Sequence, residues 1–358
     1  MKTIIIAEAG VNHNGQLELA KQLIDEAANA GADIVKFQTF KAANLVTKDA
    51  KQSPYQTQNT GVSESQFDML KRLELNYQDH FTLLEHCRVR GIKFLSTAFD
   101  MQSLDFIIND IKIDMLKIPS GEITNLPFVL AHAQSKLPII LSTGMSNLVE
   151  IEQALGAIAF GYLHGESQQP SLEAFVNAYR SDKGKKLLKD KVTVLHCTTE
   201  YPAPFDEINL NAMQAMAAHL KIAVGYSDHS QGIAVSVAAV ANKAAIIEKH
   251  FTLDKELPGP DHKASLEPAE LTAMITAIRQ VERAMGSSKK MQTVSEVQNV
   301  AVARKSLVAA TSIKQGEAYN ASNLAIKRPG NGISPAHYWH YLSQIAKRDY
   351  EIGELIDE

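Results

Sequence analysis

The chain has 358 residues, 45% of them hydrophobic and 21% charged, which is long enough for a large apolar core and for two domains. Its net charge is −4 with no long basic run, so a nucleic-acid partner is excluded, and no apolar stretch is long enough to span a membrane. The two cysteines, Cys87 and Cys197, form no disulfide framework, and the opening "MKTIIIAEAG" is broken by Glu8 before it could serve as a secretory leader; a cytoplasmic protein is expected.

Short β-branched runs recur in chain order: "TIIIAEAG" (3–10), "DIVKFQTF" (33–40), "IKFLSTAF" (92–99), "MLKIPSGE" (115–122), "PIILSTGM" (138–145), "VTVLHCTTEYP" (192–202), "IAVGYSDH" (222–229) and "AIIEKHF" (245–251). Between the first two, apolar residues at 17, 20, 23, 24, 27 and 28 predict an amphipathic helix stopped by Gly31. Similar spacing predicts helices near 78–90, 101–109, 125–135, 147–160, 208–219 and 230–243, and most clearly over 267–285. Eight strands alternating with helices predict an α/β fold, a (β/α)₈ TIM barrel over 1–285. The alternative is an open doubly wound sheet. It calls for G-x-G-x-x-G after the first strand, whereas "GVNHNG" has Gly10 and Gly15 with no glycine between. Residues 161–190 read as an added helical excursion with no chemistry of its own. From 286 to 300 the chain is polar and linker-like, and 301–358 reads as a small second domain of short strands and turns.

In a barrel of this kind the chemistry sits at the C-terminal ends of the strands. Alternate strand residues share a face, so "EKH" sets Glu248 and His250 together with Lys249 opposite. In the same way "SDH" pairs Ser227 with His229, "KFQ" pairs Lys36 with Gln38, and "TEY" pairs Thr199 with Tyr201. Glu8 ends the first strand, while Lys117, Ser120 and Glu122 end the fourth. His229 and His250, with the acids Asp228 and Glu248 beside them, either share a divalent metal with open coordination positions or are two separately hydrogen-bonded histidines. Imidazole suits manganese, iron, cobalt or zinc alike. Lys36 and Lys117 are cations in an apolar barrel, where each needs a partner. They either pair with Glu8 or Glu122, or form an anion site completed by the hydroxyls of Ser120, Thr199 and Ser227 and the backbone N–H groups of "PSGE" and "STG". The residues by themselves point to a metal-dependent enzyme acting on an anionic substrate.

Nine stretches in order, "IAEAGVNHNG", "VKFQTF", "FLSTAFD", "KIPSGE", "ILSTGM", "LHCTTEYPAPF", "GYSDH", "EKHFTLDKELPGPDH" and "KRPGNGISP", closely resemble the sialic acid synthase family, which includes the bacterial legionaminate and pseudaminate synthases. The resemblance implies a TIM barrel followed by an antifreeze-like (β-clip) domain. It also implies condensation of phosphoenolpyruvate with an open-chain N-acetylated hexose and water, giving a nine-carbon 2-keto acid and phosphate by C–O cleavage. Carried over by residue, His229 and His250 match metal ligands, with manganese foremost and magnesium or cobalt as alternatives. Lys36, Thr97, Lys117, Ser120 and Ser227 match phosphoenolpyruvate contacts, and Thr199 stands where some members carry asparagine. Gln38, Tyr201, Asp261 and Glu122 match positions around the sugar, with Asn59 as a further contact; Glu8, Glu248 and Glu122 are the candidates for proton transfer.

The resemblance further implies a homodimer that exchanges C-terminal domains, so that Arg328 of "IKRPGNGISP" reaches the partner's barrel mouth. N-acetylmannosamine is the first expectation for the sugar, making the product N-acetylneuraminate. The 6-deoxy diacetamido hexose of N,N'-diacetyllegionaminate is the alternative, favoured by "STAFD" and "EYPAPF". An enzyme making phosphorylated seven- or eight-carbon keto acids would need a further basic cluster for a second phosphate, and none is visible. A pyruvate-dependent class II aldolase is a further alternative. Ice binding by 301–358 is opposed by Lys327, Arg328, Lys347 and Arg348.

Overall fold

A computed structural model describes residues 2–357, and the chain divides into two compact units between Gly286 and Ser287. The first carries eight strands: β1 (Ile4–Gly10), β2 (Ile34–Thr39), β3 (Lys93–Ala98), β4 (Leu116–Ile118), β5 (Ile139–Ser142), β6 (Val192–Cys197), β7 (Ala223–Asp228) and β8 (Ile246–His250). They pair in the order β3-β2-β1-β8-β7-β6-β5-β4, every ladder parallel, and β3 packs beside β4 where the ring closes. This is the predicted barrel. All eight apolar runs become strands, because a parallel strand enclosed by helices is buried on both faces and favours Ile, Val and Leu throughout.

The helices follow from local chemistry. Leu17–Ala30 buries Ala20, Leu23, Ile24 and Ala27, and ends where Gly31 takes φ 84° and returns its N–H to the carbonyls of Ala27 and Ala28. Pro268–Ala284 starts with proline in its first turn and a capping box between Glu267 and Glu270, and buries Leu271, Met274, Ile275 and Ile278. The fourth strand is shorter than its sequence run, because Pro119 lacks an N–H for the ladder and Ser120–Glu122 turns as a 3₁₀-helix. The excursion after the fifth strand is two helices, Leu172–Arg180 and Asp182–Lys191. Ser181 serves both: its Oγ donates to Ala178 O at 2.8 Å and accepts from Gly184 N–H at 3.0 Å.

Two parts differ from expectation. Residues 42–73, which carry no clear period, fold as three short helices, Ala42–Leu45, Pro54–Thr60 and Gln66–Leu73. They enclose a separate apolar cluster of Val11, Phe40, Met69 and Leu73. The segment expected to be a linker, 286–300, is helical over most of its second half, in Val294–Ala303, because Thr293 and Glu296 form a capping box there. The second unit has its own core, including Leu307, Ile313, Tyr319, Leu324, Tyr350 and Ile356, around an antiparallel pair β9 (Ser306–Ala309) and β10 (Leu324–Lys327).

Strand alternation puts charge on both sides of β8. Lys249 faces the helical layer, its Nζ 3.1 Å from Asp228 Oδ2, with both side chains at 0% exposure. Ser236 Oγ, from the helix Ala234–Ala241, donates to the same carboxylate oxygen at 2.6 Å. Asp228 is thus a structural partner on the outer face, apart from the histidines it adjoins in sequence.

His132 gives the barrel an acid-sensitive point. It is fully buried against Phe128, at 4.5 Å and edge-on, and its Nδ1 bonds Phe128 O at 2.8 Å. Burial lowers its pKa from 6.5 to about 4. The unfolded chain then takes up the proton first, so stability is full above about pH 6.5 and falls as the pH drops toward 4. Its share of the loss is about 3 kcal/mol, read as the difference between wild type and His132→Leu in urea unfolding across that window; His13 and His262, also lowered by burial, add their own shares in both proteins.

Candidate active site

The register of the strands decides which side chains meet. Glu8 lies beside Lys36 on one side and His250 on the other, Gln38 lies beside Thr97, and Ser227 lies between Cys197 and Glu248. Lys36 Nζ is 2.7 Å from Glu8 Oε2 and 3.5 Å from Glu248 Oε2, and donates to Thr97 Oγ1 at 3.2 Å. Lys117 Nζ donates to both Glu248 oxygens, at 2.9 and 3.2 Å, and Ser227 Oγ donates to Glu248 Oε1 at 2.9 Å. Glu8, Lys36, Glu248 and Lys117 therefore form one chain of alternating charge, with every member at most 4% exposed.

This cluster is electrostatically asymmetric. Burial would raise Glu248, yet the ammonium groups of Lys117 and Lys36 outweigh it and hold the carboxyl well below its ordinary range. Burial pushes Glu8 up to about 7, against the pull of Lys36 and with the help of the Glu248 charge. Near neutral pH two cations thus face one firmly ionised carboxylate and one that is partly protonated. The excess is positive, and an incoming anion is favoured.

Beside the cluster, the rings of His229 and His250 are 5.6 Å apart and both are buried. His229 Nδ1 donates to Thr198 O at 2.7 Å and its Nε2 lies 3.5 Å from Ser227 Oγ; burial opposes its charge, but Cys197 and the Thr198 carbonyl outweigh burial and raise its pKa. His250 Nδ1 is buried without a hydrogen-bond partner among the described residues. Burial, then His229 and Lys36, keep this imidazole neutral by lowering its pKa far below 6.5. Tyr201 stacks on His229 at 4.0 Å and meets His250 edge-on at 5.5 Å. Gly10, at φ 53°, leaves room here, since a Cβ would stand 3.3 Å from both Glu8 Oε1 and His250 Cε1. No group of three or more His, Cys, Asp or Glu suited to a metal occurs among the described residues. The donors on offer are the unpartnered Nδ1 of the neutral His250 and Nε2 of His229 once that ring gives up its proton, which fit a divalent cation that keeps open positions.

Two hydroxyls complete the anion side. Ser120 Oγ and Thr199 Oγ1 are 3.4 Å apart, and Gly144 of "STG" makes that approach feasible: a Cβ there would be 2.1 Å from Thr199 Oγ1. On the other side lies a cavity of about 280 Å³. Its lining includes Gln38, Tyr201, His250 and Asp261 together with the apolar Leu45, Val46, Leu70 and Phe99. Asp261 is buried, and burial pushes its carboxyl up to about 6. Asn59 Nδ2 donates to Pro260 O at 2.8 Å, so this side chain ties the segment 42–73 to the loop that carries Asp261.

Two expected site residues stand apart from this group. Glu122 is half-buried, accepts from Asn125 Nδ2 at 2.7 Å, and lines a neighbouring depression with Asn44 and Asp100. Lys117 has Glu248, not Glu122, as its partner. Arg328 is exposed in the second unit, where its Nε donates to Ala303 O at 3.1 Å. Cys197, with Sγ 3.7 Å from His229 Nδ1, and Tyr55, 5.1 Å from the Tyr201 ring, also belong to the site. The alternation of "LHCTT" could have flagged Cys197; no period marks Tyr55.

Residues 23–290 match the model of the NeuB family, and residues 304–358 that of the SAF domain. The chain is 50% identical over 357 residues to the N,N'-diacetyllegionaminic acid synthase of Campylobacter jejuni, covering 100% of this chain and 99% of that protein. It is 44% identical over 356 residues to the N,N'-diacetyllegionaminic acid synthase of Legionella pneumophila, covering 99% and 94%. Among solved structures it resembles the N-acetylneuraminic acid (sialic acid) synthetase of Leptospira borgpetersenii, in complex with citrate, with TM-score 0.66, 32% identity and coverage of 84% of this chain and 90% of that one.

The charge cluster makes its own prediction. Glu248→Gln leaves Lys36 and Lys117 facing each other with Glu8 alone to balance them. Urea unfolding should show a loss of about 3–5 kcal/mol. Phosphate added at millimolar concentration should restore part of it in the variant and much less in the wild type.

Proposed function

The chain belongs to the NeuB family, and from that premise we propose that it joins phosphoenolpyruvate to an open-chain N-acetylated hexose and water, giving a nine-carbon 2-keto acid and phosphate. It is a transferase of the sialic acid synthase type. The observation that carries the reading is the buried Glu8–Lys36–Glu248–Lys117 cluster set against two adjacent buried histidines, one of which, His250, keeps an unpartnered Nδ1.

The chemistry follows from these positions. Lys36 and Lys117 hold the phosphate and carboxylate of phosphoenolpyruvate, with donors from Thr97, Ser120, Thr199 and Ser227. A divalent metal, manganese foremost, would be held by His229 and His250, and when bound it supplies Lewis-acid polarisation of the sugar aldehyde. The enol methylene carbon forms a C–C bond to the aldehyde carbon, whose oxygen takes a proton. Water adds to the cationic carbon that results and loses a proton, and the tetrahedral adduct releases phosphate by breaking its C–O bond. Glu8, held near neutrality, is the proposed proton carrier; Glu248, firmly ionised, holds Lys36 and Lys117 in place, and Glu122 sits one depression away and is the weaker candidate. Gln38, Tyr201 and Asp261 face the sugar, and Asn59 acts by holding the Asp261 loop.

The relatives favour the alternative sugar over N-acetylmannosamine: the two described above, at 50% and 44% identity, carry the name N,N'-diacetyllegionaminic acid synthase. The proposed substrate is therefore the 6-deoxy diacetamido hexose. The proposal includes a cytoplasmic homodimer in which Arg328 of one subunit reaches the sugar bound by the other.

The test is phosphate release from phosphoenolpyruvate with a panel of N-acetylated hexoses. Release is expected with the 2,4-diacetamido-2,4,6-trideoxy sugar, abolished by EDTA and recovered with manganese; full turnover in excess chelator would remove the metal from the scheme. Light scattering should give a dimer mass. Arg328→Ala should raise the KM for the sugar about tenfold or more with metal binding intact, and unchanged kinetics would return Arg328 to the surface.

A further inference from the structure

We propose that Leu45, Val46, Leu70 and Phe99 form a methyl-selecting subsite, which reads the end of the sugar remote from its aldehyde. This rests on the condensation proposed above and adds to it the residues that choose the sugar.

The barrel itself does not require the segment that builds this wall. A connection of a few residues would suffice between β2 and the helix Tyr77–Arg90, yet the chain spends residues 42–73 on three helices. Their apolar cluster is separate from the barrel core: Met69 and Leu73 line the cavity and are buried, while Leu45, Leu70 and Phe99 line it and are only partly buried. Half-exposed apolar side chains in a cavity mouth are costly in water and become favourable once apolar matter covers them.

The direction of the substrate follows from the strand order. Tyr201 follows β6, and His250 and Asp261 end or follow β8, whereas Leu45, Val46 and Leu70 follow β2 and Phe99 follows β3; the aldehyde has to lie at the histidines, next to the enol held by Lys36 and Lys117. The far end of an open-chain hexose then points away from them, toward the leucines and Phe99. A terminal hydroxyl on this wall would exchange water for carbon, whereas a terminal methyl gains contact without losing a hydrogen bond. The polar groups nearby suit the remaining substituents. Gln56 and Gln66 line the same cavity, and Gln56 Oε1 already accepts from Ser53 N–H at 2.9 Å. One N–H of its amide is engaged by the Tyr55 hydroxyl, and the other is a donor for an acetamido carbonyl. The wall is also coupled to the polar part, because Asn59 of the middle helix bonds Pro260 O next to Asp261.

The experiment compares kcat/KM for N-acetylmannosamine and its 6-deoxy counterpart, which differ only at the terminal carbon, with the 2,4-diacetamido-2,4,6-trideoxy sugar as the third substrate. The full-length wild type, Leu45→Asn and Leu70→Gln are measured, with thermal unfolding to confirm that each folds. The wild type should favour the 6-deoxy sugar over its hydroxylated twin by about tenfold or more. In each variant the ratio should move toward one, through the KM for the sugar and not that for phosphoenolpyruvate. A wild-type ratio of one overturns the subsite, as does a ratio that survives in both variants. Phosphate release with none of the three sugars overturns instead the condensation on which the subsite rests.

Discussion

Two lysines buried at the bottom of a barrel mouth have to be neutralised, and that requirement organises the site. Lys36 and Lys117 lie on strands that are not neighbours, and Glu248, from a third strand, contacts both. Closing the barrel is what brings these strands within reach, so the charge cluster and the closed sheet stabilise each other. The cluster is also unfinished as a salt bridge. Glu8 is pushed up to about 7, which leaves the positive members undercompensated near neutrality. A site whose cations are already fully paired would resist an anionic substrate; this one accepts it.

The same economy appears in the supporting parts. At Gly144 a Cβ would overlap Thr199, and at Gly10, whose φ of 53° disfavours a side chain, it would crowd Glu8 and His250. Each makes room for a neighbouring strand end rather than providing chemistry. Tyr201 covers both histidine rings, which removes water from the nitrogens that remain uncommitted. Asn59 secures the carbonyl of Pro260, next to Asp261, and so ties the helices of 42–73 to that loop.

Much of this is legible in the sequence, for a physical reason. Strand alternation is strict, so "KFQ", "SDH" and "EKH" state which residues share a face before any fold is known. The glycine and proline punctuation of Leu17–Ala30 and Pro268–Ala284 is equally direct. What escapes is distance between elements. The choice of Glu248 over Glu122 as the partner of Lys117 depends on how strands separated by more than a hundred residues lean across the mouth. Helices of four to eight residues, such as those within 42–73, are too short to show a period, so the wall of the cavity is invisible until it is folded. The choice between two sugars lay beyond the motifs as well, because the shared chemistry fixes only the residues that both would use.

The two faces of β8 have one more consequence. Glu248 and His250 turn inward to the reacting groups, and Lys249 between them turns outward to Asp228. A slip of this strand by one residue would exchange the faces. It would push a lysine among lysines inside the barrel and strand a carboxylate and an imidazole in the helical layer, so that the wrong pairing is penalised twice. The outer ion pair, which never meets a substrate, thereby acts as a proofreading device for assembly: it certifies that the catalytic face is the one pointing in.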